Sequence, residues 1–251
     1  MRIIFALFVI TSGFIAKTSA IPLKDRLPDL HTCPSSKLQT CLLQSLESIR
    51  PYLAQGVPRL GIPVFEPYYT ELYEMTFQNQ FIPIMKFRDT YINGISNFTI
   101  NNVRVANKNR DIQFFAHFPL ITVCTKFDAY ASFAPMLIKS SRYRLSSKFT
   151  NVVAEIIIRG TNFENEEENE QYFYVNNVTV TIKKFGRIKT TKEQRGSPER
   201  LMEMANNYLE LEWDAVTSEL TYNIEDIAAD LVQIISNRIY TNFPIDVLMT
   251  S

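Results

Sequence analysis

The sequence predicts an α+β fold: a long C-terminal helix wrapped by a strongly curved antiparallel β-sheet, with a short helix near the N-terminus. Three observations carry this reading. Apolar residues recur every three or four positions from Leu209 to Ile239, the period of one helix face. From Tyr68 to Lys184 the period is two, the signature of strands with one wet face. A second, shorter helical period runs from Leu38 to Leu53.

Residues 1–20 read as a secretory signal peptide. Arg2 supplies the positive start, Ile3 to Ile10 the apolar run, and Thr18-Ser19-Ala20 the small residues before cleavage. Thr11, Ser12 and Lys17 interrupt that run too early for a membrane span, and no later stretch is long and apolar enough for one. Residues 21–251 are then expected to form a single domain in an oxidising compartment. There Cys33 and Cys41 are the natural disulfide pair among three cysteines. Cys124 is left as a free thiol or as one half of an intermolecular bridge, and strand parity turns it toward the wetter side.

Ser35 or Ser36 is placed to cap the first helix, whose apolar face is Leu38, Leu42, Ser45/Leu46, Ile49 and Leu53. Pro51 threatens its last turn, and Gly56 ends it. The segment GVPRLGIPVFEP, from Gly56 to Pro67, is too rich in Gly and Pro for regular structure and reads as an extended linker.

Strand alternation follows. Tyr69, Tyr73, Met75 and Phe77 fall on one face by parity; so do Ile112, Phe114, Ala116 and Phe118, then Ile121, Val123, Phe127, Ala129 and Phe133. Tyr143, Leu145 and Phe149 form another set, as do Val152, Ala154, Ile156 and Ile158, and then Val178, Val180 and Ile182. Asn93-Gly94 and Asn109-Arg110-Asp111 are expected turns. Two glycosylation sequons, at Asn97 and Asn177, put their asparagines on the polar side of this alternation. The acidic run Glu164 to Gln171 reads as a solvated loop between strands and lacks the spaced ligands of a calcium loop.

The long helix has a capping Ser197, Pro198 at its first position and Pro244 as its stop. Thr221-Tyr222-Asn223 is its weakest point, the place for a kink or break. It offers the large apolar stripe that the dry face of the sheet needs.

Several function classes find no support. The 26 basic and 26 acidic side chains balance, so no basic surface invites nucleic acid. Only two histidines occur, His31 and His117, far apart; none of the common catalytic motifs is present, and no His/Cys/carboxylate spacing suits a metal. No enzyme, cofactor or metal is expected. Aromatics are plentiful instead, with eighteen Phe.

Cys33 and Cys41 running into a helix, the GVPRLGIPVFEP segment, Ile92 to Asn97 (INGISN), the spacing of Pro119 and Tyr130, NNYLELEW near the start of the long helix and Asn242-Phe243-Pro244 at its end together resemble the takeout and juvenile hormone-binding protein family of insects. Val57, Glu66, Glu210 and Glu212 depart from the usual residues of those motifs, and with one available disulfide the chain is similar to the takeout branch. The resemblance implies a tubular lipid-binding (TULIP-like) fold with a hydrophobic tunnel between helix and sheet. It implies a secreted carrier whose partner is a small hydrophobic ligand: a juvenile hormone-like terpenoid, a fatty acid or a related lipid. The candidates for the tunnel lining are Phe114, Phe118, Phe127, Phe133, Tyr143, Val180, Trp213, Leu220, Ile227 and Leu231, with Tyr143 as the hydroxyl to orient a ligand. The alternative is a secreted interaction or signalling protein of the same fold whose core is packed solid.

Overall fold

A computed structural model describes residues 32–76, 84–106, 111–133, 136–139, 143–166, 169–194 and 213–250. The expected leader at 1–20, the cap at Ser197 and the NNYLELEW stretch before Trp213 lie outside the described residues.

Helix α1 (Leu38–Gln55) follows a single 3-10 turn at Ser35–Lys37; neither serine caps it, and its N-terminus carries no side-chain cap bond. It runs through Pro51 and ends at Gly56, whose φ of 75° the absent side chain permits. Helix α2 (Trp213–Tyr240) is continuous across Thr221-Tyr222-Asn223, so packing overrides the weak local propensity there. After Pro244 the chain forms one more turn, α3 (Ile245–Leu248).

The sheet is built from two long antiparallel hairpins. In the first, β3 (Ile84–Asn93) and β4 (Thr99–Ala106) lie end to end along β5 (Asp111–Phe133). In the second, β8 (Glu170–Lys184) and β9 (Ile188–Gln194) lie end to end along β7 (Tyr143–Asn165). β5 and β7 pair antiparallel from Asp111↔Arg159 to Phe127↔Tyr143 and join the hairpins into one sheet. β2 (Tyr68–Thr76) extends it beside β3, and β6 (Met136–Lys139) folds back on the end of β5. A two-residue parallel ladder between β1 (Cys33–Pro34) and β10 (Met249–Thr250) ties the segment before α1 to the segment after α3.

A line across the middle of this sheet explains its shape. The outer strands break there, at Gly94 to Phe98 and at Phe185 to Arg187. The inner strands continue, but their inward face changes phase. On β5, Phe118 and Ile121 both face inward; on β7, Phe149 and Val152 do. Pro119, which has no N–H for the ladder, stands between Phe118 and Leu120, and Asn151 opposite takes φ 50°. What reads in sequence as four short strands is therefore two 23-residue strands, each with a phase change at the bend. Another irregularity, at Asp89 (φ 46°), shifts the β3–β5 register. It coincides with a flip in β2: Tyr69 is exposed and packs against Tyr91 with the rings tilted at 43°, while Tyr73 lines the concave side, so the two do not share a face.

The concave face carries the core. Ile100, Ile112, Phe114, Ala116, Ala154, Ile156, Ile158, Phe173, Val175, Val178 and Val180 form one buried cluster, against which α1 lays Leu42, Leu43 and Leu46 and α2 lays Ala228, Ala229, Val232 and Tyr240. Each large side chain so buried contributes about 1.5–3 kcal/mol. At the end where the helices meet, Ile49 of α1 packs with Ile239 of α2 and Leu60, Ile62 and Phe65 of the linker. Cys33 and Cys41 are joined in a disulfide, both sulfurs buried beside Leu38. Cys124 is half-buried and not disulfide-bonded, with Sγ 3.7 Å from Ser146 Oγ on the outer face.

Candidate functional site

The curved sheet and the two helices do not close on each other. Between them lies a cavity of about 1080 Å³, at or beyond the upper end of ordinary small-molecule pockets. α1 lines it with its whole apolar stripe, Leu38, Leu42, Ser45, Leu46, Ile49 and Leu53. α2 contributes Thr221, Ile224, Ala228, Leu231, Ile235 and Ile239, in steps of three or four that keep one face inward. From Ser218 to Tyr240 the helix wall is about 33 Å long at 1.5 Å per residue. On the sheet the lining extends along β7 from Leu145 to Asn162 and so passes through the bend. The lining is elongated, suited to an extended molecule.

Its lining is mostly apolar and carries no charge. Among the described residues that line it there is no Asp, Glu, Lys, Arg or His. Nor do three or more His, Cys, Asp or Glu gather anywhere among the described residues to hold a metal. Aromatic contacts stiffen the wall: Phe98 meets Phe118 edge-on at 5.9 Å, and Phe173 meets Tyr240 at 5.1 Å and 77°. Tyr240 is enclosed, and burial pushes its phenol up to about 12. No hydrogen bond to its hydroxyl is found among the described residues, and Tyr240 is one of the lining residues. Burial also raises Tyr73, helped by the nearby carboxylates of Asp226 and Asp230 on α2.

Of the expected lining residues, Phe114, Phe118, Val180, Ile227 and Leu231 do line this cavity. Phe127 is not among the lining residues; it is the cross-strand partner of Phe87, which is one, with their rings 5.4 Å apart. Phe133 is in β5, Tyr143 in β7, and Trp213 and Leu220 in α2; the side chains of all four are outside the described residues. Sequence reasoning missed Tyr240 and a set of hydroxyl residues on the concave face. Thr125 and Ser147 had a readable signal, because each occupies an inward position within an otherwise apolar alternation. Thr70 and Thr90 had none, because the irregularities in β2 and β3 reset the parity.

The sequence profile of the family described as Haemolymph juvenile hormone binding protein matches residues 5–250. The chain belongs to this family. Among solved structures it is similar to Takeout 1 of Epiphyas postvittana, with a TM-score of 0.69 and 16% identity over 88% of this chain and 99% of that one. At this identity the likeness establishes the fold: the takeout-type curved sheet around a long C-terminal helix. A lipopolysaccharide binding protein structure is matched more loosely, with a TM-score of 0.41 and 10% identity over 78% of this chain and 38% of that one. No curated protein sequence matched the chain. Membership carries the coarse functional statement that this is a hydrophobic-ligand-binding fold, in a family named for binding and not for a reaction. No helix among the described residues is long and apolar enough to cross a membrane.

Proposed function

We propose that the protein is a secreted, non-enzymatic carrier of a small elongated hydrophobic molecule: a terpenoid of the juvenile hormone type, a fatty acid or a related lipid. The observation that carries this reading is the uncharged cavity of about 1080 Å³ between sheet and helix. A core built only for stability closes such spaces, since each one forfeits dispersion contacts along its walls. Filling this one with an apolar ligand recovers about 25 cal/mol per Å² of apolar surface before ordering costs.

Ligand contact is assigned to Phe114, Phe118, Val180, Ile227 and Leu231. Secretion is supported by the leader-like first twenty residues and by the Cys33–Cys41 disulfide. Glycosylation at Asn97 and Asn177 is part of the same proposal; both asparagines are exposed, one just before β4 and the other in β8.

Native mass spectrometry of the protein secreted from a eukaryotic host, followed by organic extraction, tests the reading. A stoichiometric apolar ligand is expected. A bare mass from several hosts, with no uptake of added terpenoid or lipid, would leave the alternative: an interaction protein acting through its surface.

A further inference from the structure

We propose that a row of hydroxyls crossing the concave face is a polar subsite that selects uncharged ligands, namely elongated apolar molecules bearing a neutral hydrogen-bonding group such as an alcohol, ester or ketone. The proposal rests on the carrier reading and narrows its ligand class.

The row spans five strands. Thr70 on β2 stands opposite Thr90 on β3. Thr90 Oγ1 lies 2.7 Å from Thr125 Oγ1 on β5. One diagonal step leads to Ser147 on β7, whose Oγ is 3.0 Å from Thr190 Oγ1 on β9. All five line the cavity. Thr90, Thr125 and Ser147 are only 7%, 4% and 5% exposed. On both sides of the row the wall is apolar, with Ile92, Val123 and Phe149 toward the bend and Phe87 and Leu145 beyond.

Valine would fill the threonine positions at nearly the same volume without desolvating a hydroxyl, a cost of about 1–3 kcal/mol when unanswered. The bonds within the row answer only part of its capacity. Each hydroxyl brings one proton and two acceptor sites. In the Ser147–Thr190 pair one proton is used between the partners, and the second has no acceptor among the described residues. In the Thr90–Thr125 pair, Thr125 donates to Thr90, to the Arg88 carbonyl at 3.2 Å or to the Lys126 carbonyl at 3.3 Å; in the first arrangement the proton of Thr90 is free for the lumen. The row can thus donate to a carbonyl or ether oxygen and accept from an alcohol.

An ionised carboxylate fares differently. It would lose its hydration in a space where no described lining residue is cationic, and hydroxyls alone do not offset that loss. A free fatty acid must therefore enter protonated or stay out.

The test uses the full secreted protein, delipidated, and competition against a fluorescent naphthylamine probe by four ligands built on a twelve-carbon chain: dodecane, dodecan-1-ol, methyl dodecanoate and, at pH 8, dodecanoate. The alcohol and ester are expected to bind about tenfold more tightly than the alkane, the factor one net hydrogen bond supplies, and the carboxylate most weakly. The triple change Thr90→Val, Thr125→Val, Ser147→Ala is expected to reverse the order of alkane and alcohol, while Thr90→Ser with Thr125→Ser retains the wild-type order. Equal affinity of wild type for alkane and alcohol, or tight dodecanoate binding at pH 8, overturns the proposal and leaves the carrier reading standing. Failure of wild type to bind the probe or any of the four overturns both. The wild-type ranking decides the matter even if the triple variant does not fold.

Discussion

Asn237 and Val175 are paired through the side-chain amide of one and the backbone of the other. Asn237 Nδ2 donates to the Val175 carbonyl at 3.1 Å, and the Val175 N–H donates to Asn237 Oδ1 at 2.8 Å. A residue of helix α2 thus takes the part of a neighbouring strand beside β8. Gln233 also donates to the Val175 carbonyl, and Glu225 Oε1 accepts from the Ile182 N–H. These three side chains fall on one face of α2 and satisfy backbone groups along β8, which ends the sheet's strand path. The helix is held to the sheet by hydrogen bonds as well as by burial.

Replacing Asn237 by Ala is therefore predicted to cost about 1–3 kcal/mol, because it orphans the N–H of a residue with no exposed surface. Chemical denaturation measures the loss, and hydrogen exchange at the Val175 amide should accelerate. A stability change within error of wild type would show that the pair is incidental.

The bend depends on glycines at the breaks between the outer strands. A Cβ on Gly94, whose φ is 91°, would collide with the Leu120 carbonyl oxygen, and one on Gly186 would come within 2.6 Å of the Thr150 carbonyl oxygen. Leu120 and Thr150 are themselves a cross-strand pair, so both collisions strike the same line across the sheet. Gly94→Ala is expected to destabilise by well over 1 kcal/mol, through both strain and contact. Gly186→Ala should do less harm, having no positive φ to violate. Thermal melts of the two variants check the order, and a Gly94→Ala protein as stable as wild type would refute this account of the bend.

The Cys33–Cys41 bridge closes a short loop over a sequence separation of 8. Chain entropy for such a loop gives about 2.5 kcal/mol. The double change Cys33→Ser, Cys41→Ser is predicted to lower stability by about that amount and to loosen the α1 end of the cavity, where Cys33 is a wall residue. Equilibrium unfolding with and without reductant measures it; a reductant effect that persists in the double variant would point to another thiol.

Tyr240 makes an alkaline prediction. Its folded-state value lies above the ordinary phenol value of 10.0, at about 12, because burial disfavours the phenolate. Between those values the folded protein holds a proton that the unfolded chain has released, so stability present below pH 10 is lost as pH rises toward 12. Tyr240→Phe should flatten that loss and leave neutral-pH stability equal or higher, since it removes an enclosed hydroxyl that has no hydrogen-bond partner among the described residues. Stability curves of both proteins from pH 8 to 12 provide the check.

Adding bulk inside the lumen addresses the cavity directly. Ala228 faces it from α2 and already packs against the sheet cluster. Ala228→Phe is expected to weaken hydrophobic-probe binding at least tenfold while the protein still folds. Unchanged affinity would mean that the probe binds elsewhere.

Much of this was legible in the chain. The period of 3.6 located both helices, and the Leu38–Leu53 stripe is the cavity wall that α1 presents. The period of two placed Phe114, Phe118 and Val180 on the concave face, because each sits within an uninterrupted alternation. Reading failed where the pleat changes phase. Tyr69 and Tyr73 share a parity but not a face, and the strand pairs on either side of Pro119 and Asn151 are single strands. A positive φ at Asp89 or Asn151 leaves no mark in hydrophobic periodicity, since either residue is equally at home in a turn.

The sequence by itself determined the two helices, the apolar faces of the unbroken strand stretches and the Cys33–Cys41 pairing, because periodicity and cysteine spacing are local properties. It also determined that whatever meets the concave face meets an apolar surface. Whether those faces pack solid or stand apart was decided only in the tertiary structure. Bends at Gly94 and Gly186 and the edge contacts of Asn237 set the distance between helix and sheet, and no local pattern encodes a distance between elements far apart in the chain. The same holds for the hydroxyl row: its five members are scattered from residue 70 to residue 190 and become neighbours only when five strands come into register.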